Sequence, residues 1–425
     1  MRKRIFLSPP ALVCCAGKDR NELYGACLEG RQGGLAIHDM PGCGKFPVGL
    51  IDDCLGAGYC REDTSAPSVS KETSFPLAYA GATKIIRIVD AALEQLRPAV
   101  EKALSKYSPD RIGICFGSCD NGSENSLMAQ NALLEKNAFP EDYRLRYQIP
   151  SFPLELISRK FGVSGPAFTV STACASGASA IVRGAELIRA GFCDAVIVGG
   201  ADIVSPTVFA GFLALEAVSD SLTNPFSKNR KGLNLGEGAA FFLLDSSAPT
   251  QQAETSCIEL LGAGESADAH HMTAPDSDGE GAVKAMKSAL LDAKLDSAQI
   301  GYINLHGTGT ELNDKTEALA MKKVFAPPHA PYAALPPVSS TKPIMGHTLG
   351  AAGALEAAVC WMVLAEKRGL PVHCWDGVAD EEAPFFPVTP AMNGSGFKAP
   401  SVCMSNSFAF GGCNVSLILG RVHND

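Results

Sequence analysis

Short apolar runs alternate along the first half of the chain with longer segments that are rich in alanine. The runs at 112–116, 167–170 and 195–198 are predicted as strands, because short apolar runs bounded by turn residues are typical of buried strands. Helices are predicted at 125–136 and 176–190, and a loop is expected after the third strand. This alternation indicates a layered α/β fold.

The second half of the chain shows the same alternation. Helices are predicted at 282–293, 315–324 and 350–366, and strands at 302–305, 401–405 and 414–419. The repetition predicts two related α/β halves, residues 1–250 and residues 251–425. Glycine and proline are spread along the chain instead of being concentrated in a linker, so we expect the halves to form one cooperative unit.

One segment of each half has the same form. FTVSTACASG around Cys174 and YINLHGTGT around His306 are both an apolar strand that ends in a loop of small and polar residues. In α/β folds, the loops after strand ends often carry the chemistry. The two segments are either equivalent parts of the two halves or alike by coincidence, and the pattern alone does not decide between these interpretations.

Composition narrows the class of protein. The 425 residues are 46% hydrophobic and 19% charged, which predicts a large buried core. The net charge of -9 argues against nucleic acid as the main partner, because an acidic surface repels phosphates. The cysteine count of 15 is odd and no spacing matches a paired metal-ligand motif, so free thiols in the cytoplasm are the simpler interpretation.

The N-terminus has some features of a signal peptide, because basic residues precede an apolar run in MRKRIFLSPPALV. Pro9 and Pro10 interrupt that run, so we expect an ordinary first strand followed by a turn. No stretch of the chain approaches the ~20 uninterrupted apolar residues of a membrane span. The sequence therefore predicts neither export nor a membrane span.

Cys174 is the first candidate for chemistry. It follows the strand predicted at 167–170 and precedes a helix in which Ile181, Ala185 and Ile188 keep helical spacing. Near the start of a helix, unpaired N–H groups and the helix dipole favour the reactive thiolate. The alternative is an ordinary buried cysteine, since free cysteine is among the most buried residue types. This segment alone does not distinguish the two.

Two histidines lie beside glycine, His306 in NLHGTGT and His347 in STKPIMGHTLGAAGALE. A histidine in such a loop gains little from core packing and is well suited to donate hydrogen bonds. Lys342 lies in the second segment, which has little other charge, and this favours a buried, paired lysine over a surface lysine. The alternative is that the two histidines bind a metal ion. However, no carboxylate and no further histidine lies at metal-ligand spacing from His306 or His347.

Four motifs together carry a resemblance. TACASG, HGTGT, K-x-x-x-GH-x-x-GAAGA and SNSFAFGG resemble, in order and at similar separations, the motifs of the β-ketoacyl-acyl-carrier-protein synthases I and II. These are thiolase-like condensing enzymes, and the similarity runs over essentially the whole chain. The resemblance implies a five-layered α-β-α-β-α fold of two pseudo-symmetric halves. It also implies a dimer, either a homodimer or a heterodimer with a related synthase-like subunit.

The resemblance also implies an activity. Such an acyltransferase holds an acyl chain as a thioester and condenses it with malonyl-acyl-carrier protein, which loses carbon dioxide, in fatty-acid, polyketide or aryl-polyene biosynthesis. The substrates are carried on the phosphopantetheine of acyl carrier protein, and no metal or redox cofactor is required. This agrees with the residues, since carbon–carbon bond formation needs a covalently held thioester and a carbanion equivalent generated beside it.

The resemblance assigns a role to each matching residue. Cys174 is implied to be the nucleophile, and His306 and His347 to stabilise the enolate. Lys342 is implied to be the supporting cation beside His347. The remaining implied residues are Glu317 and Glu356 behind the site, the N–H groups of Cys174 and Phe410 as the oxyanion hole, Phe410 as a gate, Thr308 and Thr310 around the pantetheine arm, and Asp120 and Phe212 around the substrate.

Related enzymes provide alternative interpretations of the function of this chain. Synthase III enzymes carry asparagine where this chain has His347, so they fit less well. Degradative thiolases use a second reactive cysteine in a glycine-rich loop, and Cys413 follows two glycines here. A chain-length factor, a non-catalytic partner of such synthases, would lack the nucleophile that Cys174 supplies. A catalytically silent scaffold or lipid-binding subunit is the alternative from another class of protein.

Departures from the family pattern bear on specificity. Asp120 stands where the acyl pocket usually has an apolar or very small residue, unless a one-residue shift places it in a solvated loop. Ala409 replaces a glycine next to the gate. Glu216 replaces an arginine that helps to dock the carrier protein, and Lys71 and Lys84 are the candidate substitutes. We therefore predict a specialised synthase, of the type II polyketide or aryl-polyene kind, for an unsaturated or polar chain.

Overall fold

The computed structural model describes residues 3–51, 83–120, 122–141, 143–247, 257–326 and 335–422. The predicted boundary near residue 250 and the docking candidate Lys71 lie outside these ranges. The strands are β1 (Phe6–Leu7), β2 (Ala11–Cys14), β3 (Ala36–Met40), β4 (Gly44–Val48), β5 (Ile112–Gly117), β6 (Ala167–Val170), β7 (Ala195–Asp202), β8 (Gly238–Asp245), β9 (Cys257–Ala267), β10 (Tyr302–Asn304), β11 (Val338–Ser339), β12 (Val402–Phe408) and β13 (Cys413–Val422).

Helices separate most of these strands. They are α1 (Arg20–Glu29), α2 (Lys84–Leu104), α3 (Ser123–Lys136), α4 (Phe152–Phe161), α5 (Ser176–Arg189), α6 (Pro206–Ala214), α7 (Glu280–Ala293), α8 (Glu311–Phe325), α9 (Lys342–Met345) and α10 (Ala352–Glu366). Every element predicted from the apolar pattern is confirmed within a few residues. The loop expected directly after residue 198 is wrong, because β7 continues to Asp202.

The main sheet has the same strand order in both halves of the chain. In the first half β5 pairs in parallel with β6 and β7, and β8 continues the sheet antiparallel to β7. In the second half β10 pairs in parallel with β11 and β12, and β13 is antiparallel to β12. β2 and β9 complete the two halves, and β1 joins them by pairing with both β8 and β9.

This order shows which segments of the two halves correspond. The edge strand β6, which precedes Cys174, occupies the position of the edge strand β11, which precedes Lys342 and His347. β10, which precedes His306, occupies the position of β5. The suggested equivalence of the Cys174 and His306 segments is therefore wrong, although both segments end at the same site.

Helices cover and separate the two halves of the sheet. α5 and α10 contact each other in the middle layer, with α5 against β5 and β7 and α10 against β12 and β13. α2 covers β2 and β8 on one outer side, and α7 covers β9 and β13 on the other. The predicted five-layered α-β-α-β-α fold is confirmed. The apolar stretch Leu349–Glu366 is long enough to cross a membrane, but 89% of it is buried within this core.

Two glycines let the middle helices approach closely. A β-carbon added at Gly177 would lie 2.8 Å from the carbonyl oxygen of Gly350, and one at Gly353 would lie 2.7 Å from the β-carbon of Ala178. Such distances leave no room for a larger side chain. The close contact brings the N-terminal ends of α5 and α10 together, and with them the loops that carry Cys174 and His347.

Candidate active site

Cys174 lies in a tight turn between β6 and α5. The turn is closed by hydrogen bonds from the N–H of Ser176 to the carbonyl of Ala173 (3.1 Å) and from the N–H of Thr172 to Oγ of Ser176 (2.9 Å). Ala173 has φ +47°, a left-handed conformation that is unfavourable for a residue with a β-carbon. The turn therefore holds the buried Cys174 side chain in one defined direction.

His347 faces Cys174 directly. Its Nε2 atom lies 3.0 Å from the Cys174 Sγ atom, and its Nδ1 atom accepts a hydrogen bond from the N–H of Leu349 at 3.3 Å. Because Nδ1 accepts, the ring proton is on Nε2, and the imidazole donates toward the sulfur. Leu349 has φ +54°, which is a second left-handed backbone conformation in the site. This conformation fixes the loop that carries His347.

Burial dominates the acidity of the thiol. It raises the pKa of Cys174 to about 12, although the Lys342 cation and the N–H of Phe410 act in the opposite direction. The expectation that the helix start favours the thiolate in the resting protein is therefore wrong. α5 begins two residues after Cys174, and the loss of water around the sulfur decides the direction of the shift.

Lys342 contacts His306 and not His347. Its Nζ atom donates to the carbonyl oxygen of His306 and lies 3.4 Å from Nδ1 of the same residue. Nζ also forms an ion pair of 2.5 Å with Glu356, and both side chains are fully buried. The resemblance implies a cation beside His347; its hydrogen bonds go to His306 instead, because the turn before α9 directs the lysine toward the end of β10, and its charge still acts on His347.

Both histidines are neutral. Burial lowers the pKa of His306 and of His347 well below the usual value, and the Lys342 cation lowers both further. The ammonium group faces Nδ1 of His306, so the proton of that ring is on Nε2 as well. The two rings are perpendicular, with centroids 5.4 Å apart. The site thus has two neutral N–H donors on one side of the sulfur.

Two buried carboxyl groups hold the loop that carries His306. Glu317 accepts hydrogen bonds from the N–H groups of His306 and Gly307, each at 2.8 Å. Asp314 accepts from the N–H of Gly309 at 3.2 Å and from the N–H of Phe226 at 2.7 Å. Glu317 was predicted behind the site, whereas Asp314 was not. Neither carboxyl group touches an imidazole, so both act on the loop and not on the rings.

A cavity of about 400 Å³ leads from the surface to this group of side chains. Its walls include Cys174, His306, His347, Thr308, Thr310, Phe212 and Phe410. The hydroxyl groups of Thr308 and Thr310 lie 2.9 Å apart, and the rings of Phe212 and Phe410 stack with centroids 5.7 Å apart. Within the described ranges, no three histidine, cysteine or carboxylate side chains are grouped as metal ligands would be.

Comparisons with known proteins agree with this geometry. Two family models match, the β-ketoacyl synthase N-terminal domain at residues 70–249 and the C-terminal domain at residues 257–373. The 3-oxoacyl-[acyl-carrier-protein] synthase 2 of Vibrio cholerae is 30% identical over 99% of this chain and 100% of its own length. The chain belongs to the β-ketoacyl synthase family. The enzyme of the same name from Coxiella burnetii is 34% identical over 79% of this chain and 82% of its own.

Chains in solved structures of ketosynthase complexes are similar in fold to this chain. A chain of the complex of the ketosynthase ApeO with its chain length factor ApeC, from Xenorhabdus doucetiae, superposes with a TM-score of 0.83. It is 33% identical, and the match covers 99% of this chain and 98% of that one. A chain of the ishigamide ketosynthase/chain length factor has a TM-score of 0.80 and 28% identity, with both chains fully covered.

In this β-ketoacyl synthase, Asp120 is buried behind the cavity and not exposed in a solvated loop. Its Oδ1 atom accepts the N–H of Ser123 at 3.2 Å, and its Oδ2 atom has no partner among the described residues. Burial and the nearby Asp202 raise the pKa of Asp120 to about 7. The side chain does not line the described cavity, so its predicted contact with substrate stays a prediction.

Asp202 is a part of the synthase site that the sequence pattern did not reveal. Its carboxyl group accepts hydrogen bonds from Oγ of Ser118 (2.6 Å), the N–H of Asp120 (3.1 Å) and the N–H of Gly350 (2.6 Å). It therefore joins the ends of β5 and β7 to the loop after His347. The sequence feature that indicates this role is an aspartate at the end of a long apolar strand.

The remaining residues singled out by comparison with the family pattern lie partly at the cavity and partly away from it. Glu216 is exposed at its mouth. Lys84 is not free to replace the missing arginine, because it pairs with the buried Glu237 at 2.7 Å. Ala409 has φ -104° and ψ 156°, which any residue adopts, so the alanine is not strained. Cys413 does not line the cavity, which argues against a role as the second reactive cysteine of a thiolase.

Proposed function

We propose that this synthase condenses an acyl chain held on Cys174 with a malonyl unit that loses carbon dioxide. One observation carries the proposal: a buried thiol and two neutral imidazole N–H donors lie together at the inner end of one cavity. In this account residues 1–250 supply the nucleophile, and residues 251–425 supply His306, His347 and Lys342.

In the first step, Sγ of Cys174 attacks the carbonyl carbon of an acyl thioester on carrier protein. The proton of the Cys174 thiol ends on the carrier sulfur, which leaves as a thiol, and the acyl chain remains on Cys174. The N–H groups of Cys174 and Phe410 act as the oxyanion hole for the tetrahedral intermediate. The N–H of Phe410, which already points at the sulfur, supports this assignment.

In the second step, the malonyl thioester loses carbon dioxide and becomes an enolate. Acylation makes the sulfur a poor hydrogen-bond acceptor, so Nε2–H of His347 becomes free to bind the enolate oxygen together with Nε2–H of His306. Neutral imidazoles stabilise this oxygen without quenching the carbanion by proton transfer. The buried Lys342–Glu356 pair keeps His306 neutral and fixes the orientation of its ring.

In the third step, the enolate carbon attacks the acyl carbonyl on Cys174 and forms the new carbon–carbon bond. The oxyanion is held again by the two N–H groups, and its collapse releases a β-ketoacyl thioester. The thiolate of Cys174 then takes a proton from solvent. The high pKa of the buried thiol favours this return to the resting state.

We propose that acyl carrier protein delivers both substrates on its phosphopantetheine arm. Thr308 and Thr310 line the same cavity as Cys174, where their hydroxyl groups can bind the amides of the arm. Lys231 is 67% exposed at the mouth and is a candidate for docking, with Asp220 3.9 Å away. The thirteen described cysteines are free, which supports a reducing compartment such as the cytoplasm.

We propose a dimer that forms through the edge of the sheet at β6. This strand ends the sheet, so one row of its N–H and C=O groups has no neighbouring strand within the described ranges. Apolar side chains are exposed on α3 and after it, at Met128, Leu134 and Phe139. The partner is a second copy or a related synthase-like subunit, and native mass spectrometry of the chain expressed alone distinguishes the two.

We propose a specialised acyl chain, unsaturated or polar, because Asp120 places a buried carboxyl group with an unpaired oxygen in the loop after β5. The carboxyl group of Asp202 accepts the backbone N–H groups of both Asp120 and Gly350, which connects the Asp120 backbone with the loop of His347 and supports a location next to the acyl pocket. A fully saturated chain would meet an unpaired polar atom there. Rates of elongation for saturated, polyunsaturated and aryl-enoyl primers test the proposal, and a clear preference for long saturated chains would refute it.

The alternative, a non-catalytic subunit, makes a different prediction for Cys174. Incubation with acyl-carrier protein followed by mass spectrometry of the Cys174 peptide separates the two functions. A synthase forms an acyl adduct on Cys174, and the variant Cys174→Ser serves as the control. Absence of an adduct with every acyl donor tested would favour the silent subunit.

A further inference from the structure

His373 is a buried histidine for which the reaction described above has no use. It lies after α10 and is 4% exposed. Its ring is packed against aromatic residues, with centroid distances of 4.8 Å to Phe385 and 6.3 Å to Phe226. Burial lowers the pKa of His373 to about 4, so the ring is neutral at physiological pH.

Both ring nitrogens of His373 are used. Nδ1 accepts a hydrogen bond from the N–H of Ser340 at 3.1 Å, and Nε2 lies 3.1 Å from the carbonyl oxygen of Pro225. Because Nδ1 accepts, Nε2 carries the proton and donates it to Pro225. A neutral imidazole can join an N–H group on one side to a C=O group on the other, which an apolar side chain of similar size cannot do.

The N–H that His373 binds belongs to the turn that leads to Lys342. Ser340 donates from Oγ to the carbonyl oxygen of Gly307 at 2.7 Å and accepts the N–H of Lys342 at 3.3 Å. A β-carbon on Gly307 would lie 2.6 Å from that of Ser340, so the turn and the His306 loop are in direct contact. A displacement of Ser340 would therefore move Lys342 relative to His306.

The carbonyl group that His373 binds belongs to a second segment that is also bonded to the loop of His306. Pro225 precedes Phe226, whose N–H donates to Asp314 at 2.7 Å, and Asp314 also accepts the N–H of Gly309 in the His306 loop. His373 thus joins the segment at 225–226 to the turn at 340–342, and each of these segments is bonded to the loop of His306.

We propose that His373 is a positioning residue for decarboxylation, which holds the Ser340–Lys342 turn in the place where Nζ of Lys342 meets His306. The inference rests on the proposed function. It predicts that His373 affects the loss of carbon dioxide, which requires Lys342 and His306, much more than the acylation of Cys174.

Two variants and a control test this role. His373→Phe fills the site and removes both hydrogen bonds, whereas His373→Gln keeps an acceptor and a donor. Phe385→Leu disturbs the same aromatic cluster without touching the hydrogen bonds to Ser340. Two half-reactions are measured for each protein: conversion of malonyl-CoA to acetyl-CoA and carbon dioxide, and acylation of Cys174 by octanoyl-CoA. Thermal unfolding is recorded in parallel.

We expect His373→Phe to slow decarboxylation 10- to 100-fold and acylation less than threefold, with His373→Gln recovering at least a third of the wild-type decarboxylation rate. Phe385→Leu should lower the melting temperature without separating the two half-reactions. Equal losses of both half-reactions in His373→Phe, or no loss of decarboxylation, would overturn the inference. If the wild-type protein does not decarboxylate malonyl-CoA or malonyl-carrier protein, the proposed function fails instead.

Discussion

The Nε2 atom of His347 lies 3.0 Å from the Sγ atom of Cys174, although the two residues are 173 positions apart in the sequence. The close contact of α5 and α10 brings the two side chains together. Ala173, next to Cys174, and Leu349, near His347, have left-handed backbone conformations that hold the two side chains in place. The same imidazole N–H that meets the sulfur in the resting protein is available to the enolate oxygen once the sulfur is acylated.

This relationship predicts the effect of removing the imidazole. His347→Ala should lower the rate of malonyl decarboxylation by about 10² to 10³, the usual effect of losing one donor to a developing oxyanion. Acylation of Cys174 should change much less, because that step uses the backbone N–H groups. Carbon dioxide release and the acyl adduct are measured separately, with His270→Ala on an exposed loop as the control. Equal losses in both steps would contradict the assignment.

The high pKa of Cys174 predicts how the thiol reacts with alkylating agents. An ordinary cysteine has a pKa of about 8.5, and its alkylation rate levels off above that pH. Because the pKa of Cys174 is about 12, its rate should still rise about tenfold per pH unit between pH 7 and pH 9.5. Iodoacetamide labelling of the Cys174 peptide, quantified by mass spectrometry, measures this rate. A plateau near pH 8 would show that the thiolate is stabilised after all.

The buried ion pair of Lys342 and Glu356 predicts a strong energetic coupling. Lys342→Met and Glu356→Gln should each lower the free energy of unfolding by about 3 kcal/mol, because each leaves a buried charge without its counter-charge. The double variant should lose at least about 2 kcal/mol less than the sum. Denaturant unfolding measures all four proteins.

The exposed pair Lys315–Glu311, with a distance of 3.0 Å, is the matched control for this cycle. Its coupling should be much weaker than that of the buried pair, as is usual for surface pairs. Equal coupling for the two pairs would mean that burial does not strengthen the Lys342–Glu356 interaction.

The pKa of Asp120, raised to about 7, predicts a pH-dependent choice of acyl chain. Below pH 7 the carboxyl group is mostly protonated and tolerates a saturated chain, and above pH 7 it is ionised and opposes one. The acylation rate with a saturated primer, relative to a polyunsaturated primer, should therefore fall several-fold between pH 6 and pH 8. Asp120→Asn has the same size and no charge, and it should remove this dependence. A ratio that changes equally in both proteins would exclude Asp120.

Much of the fold and the centre of the site could be predicted from local patterns. Short apolar runs marked the buried strands, and glycine beside His306 and His347 marked the reactive loops. The resemblance implies that Lys342 lies beside His347, five residues later in the chain, whereas its direct partner His306 follows another strand of the sheet. Sequence distance is a poor guide where strand ends from both halves meet.

Asp202 and His373 are absent from the sequence prediction, for a related reason. Each lies in an apolar segment that has the pattern of ordinary core, and each acts by binding N–H or C=O groups of segments that are remote in the sequence. The acidity of Cys174 was misjudged because a helix start is visible in the sequence, whereas the depth of burial is not. Burial decided the sign of that pKa shift.

A single-turnover experiment tests the central claim most directly. The acyl enzyme is formed, freed of excess donor and mixed with malonyl-carrier protein, and the Cys174 adduct, carbon dioxide and product are followed together. The account predicts that the adduct on Cys174 disappears while carbon dioxide and a β-ketoacyl-carrier protein two carbons longer than the adduct appear in equal amounts. An adduct that persists on Cys174 while carbon dioxide is released, or a product formed equally well by Cys174→Ser, would contradict it.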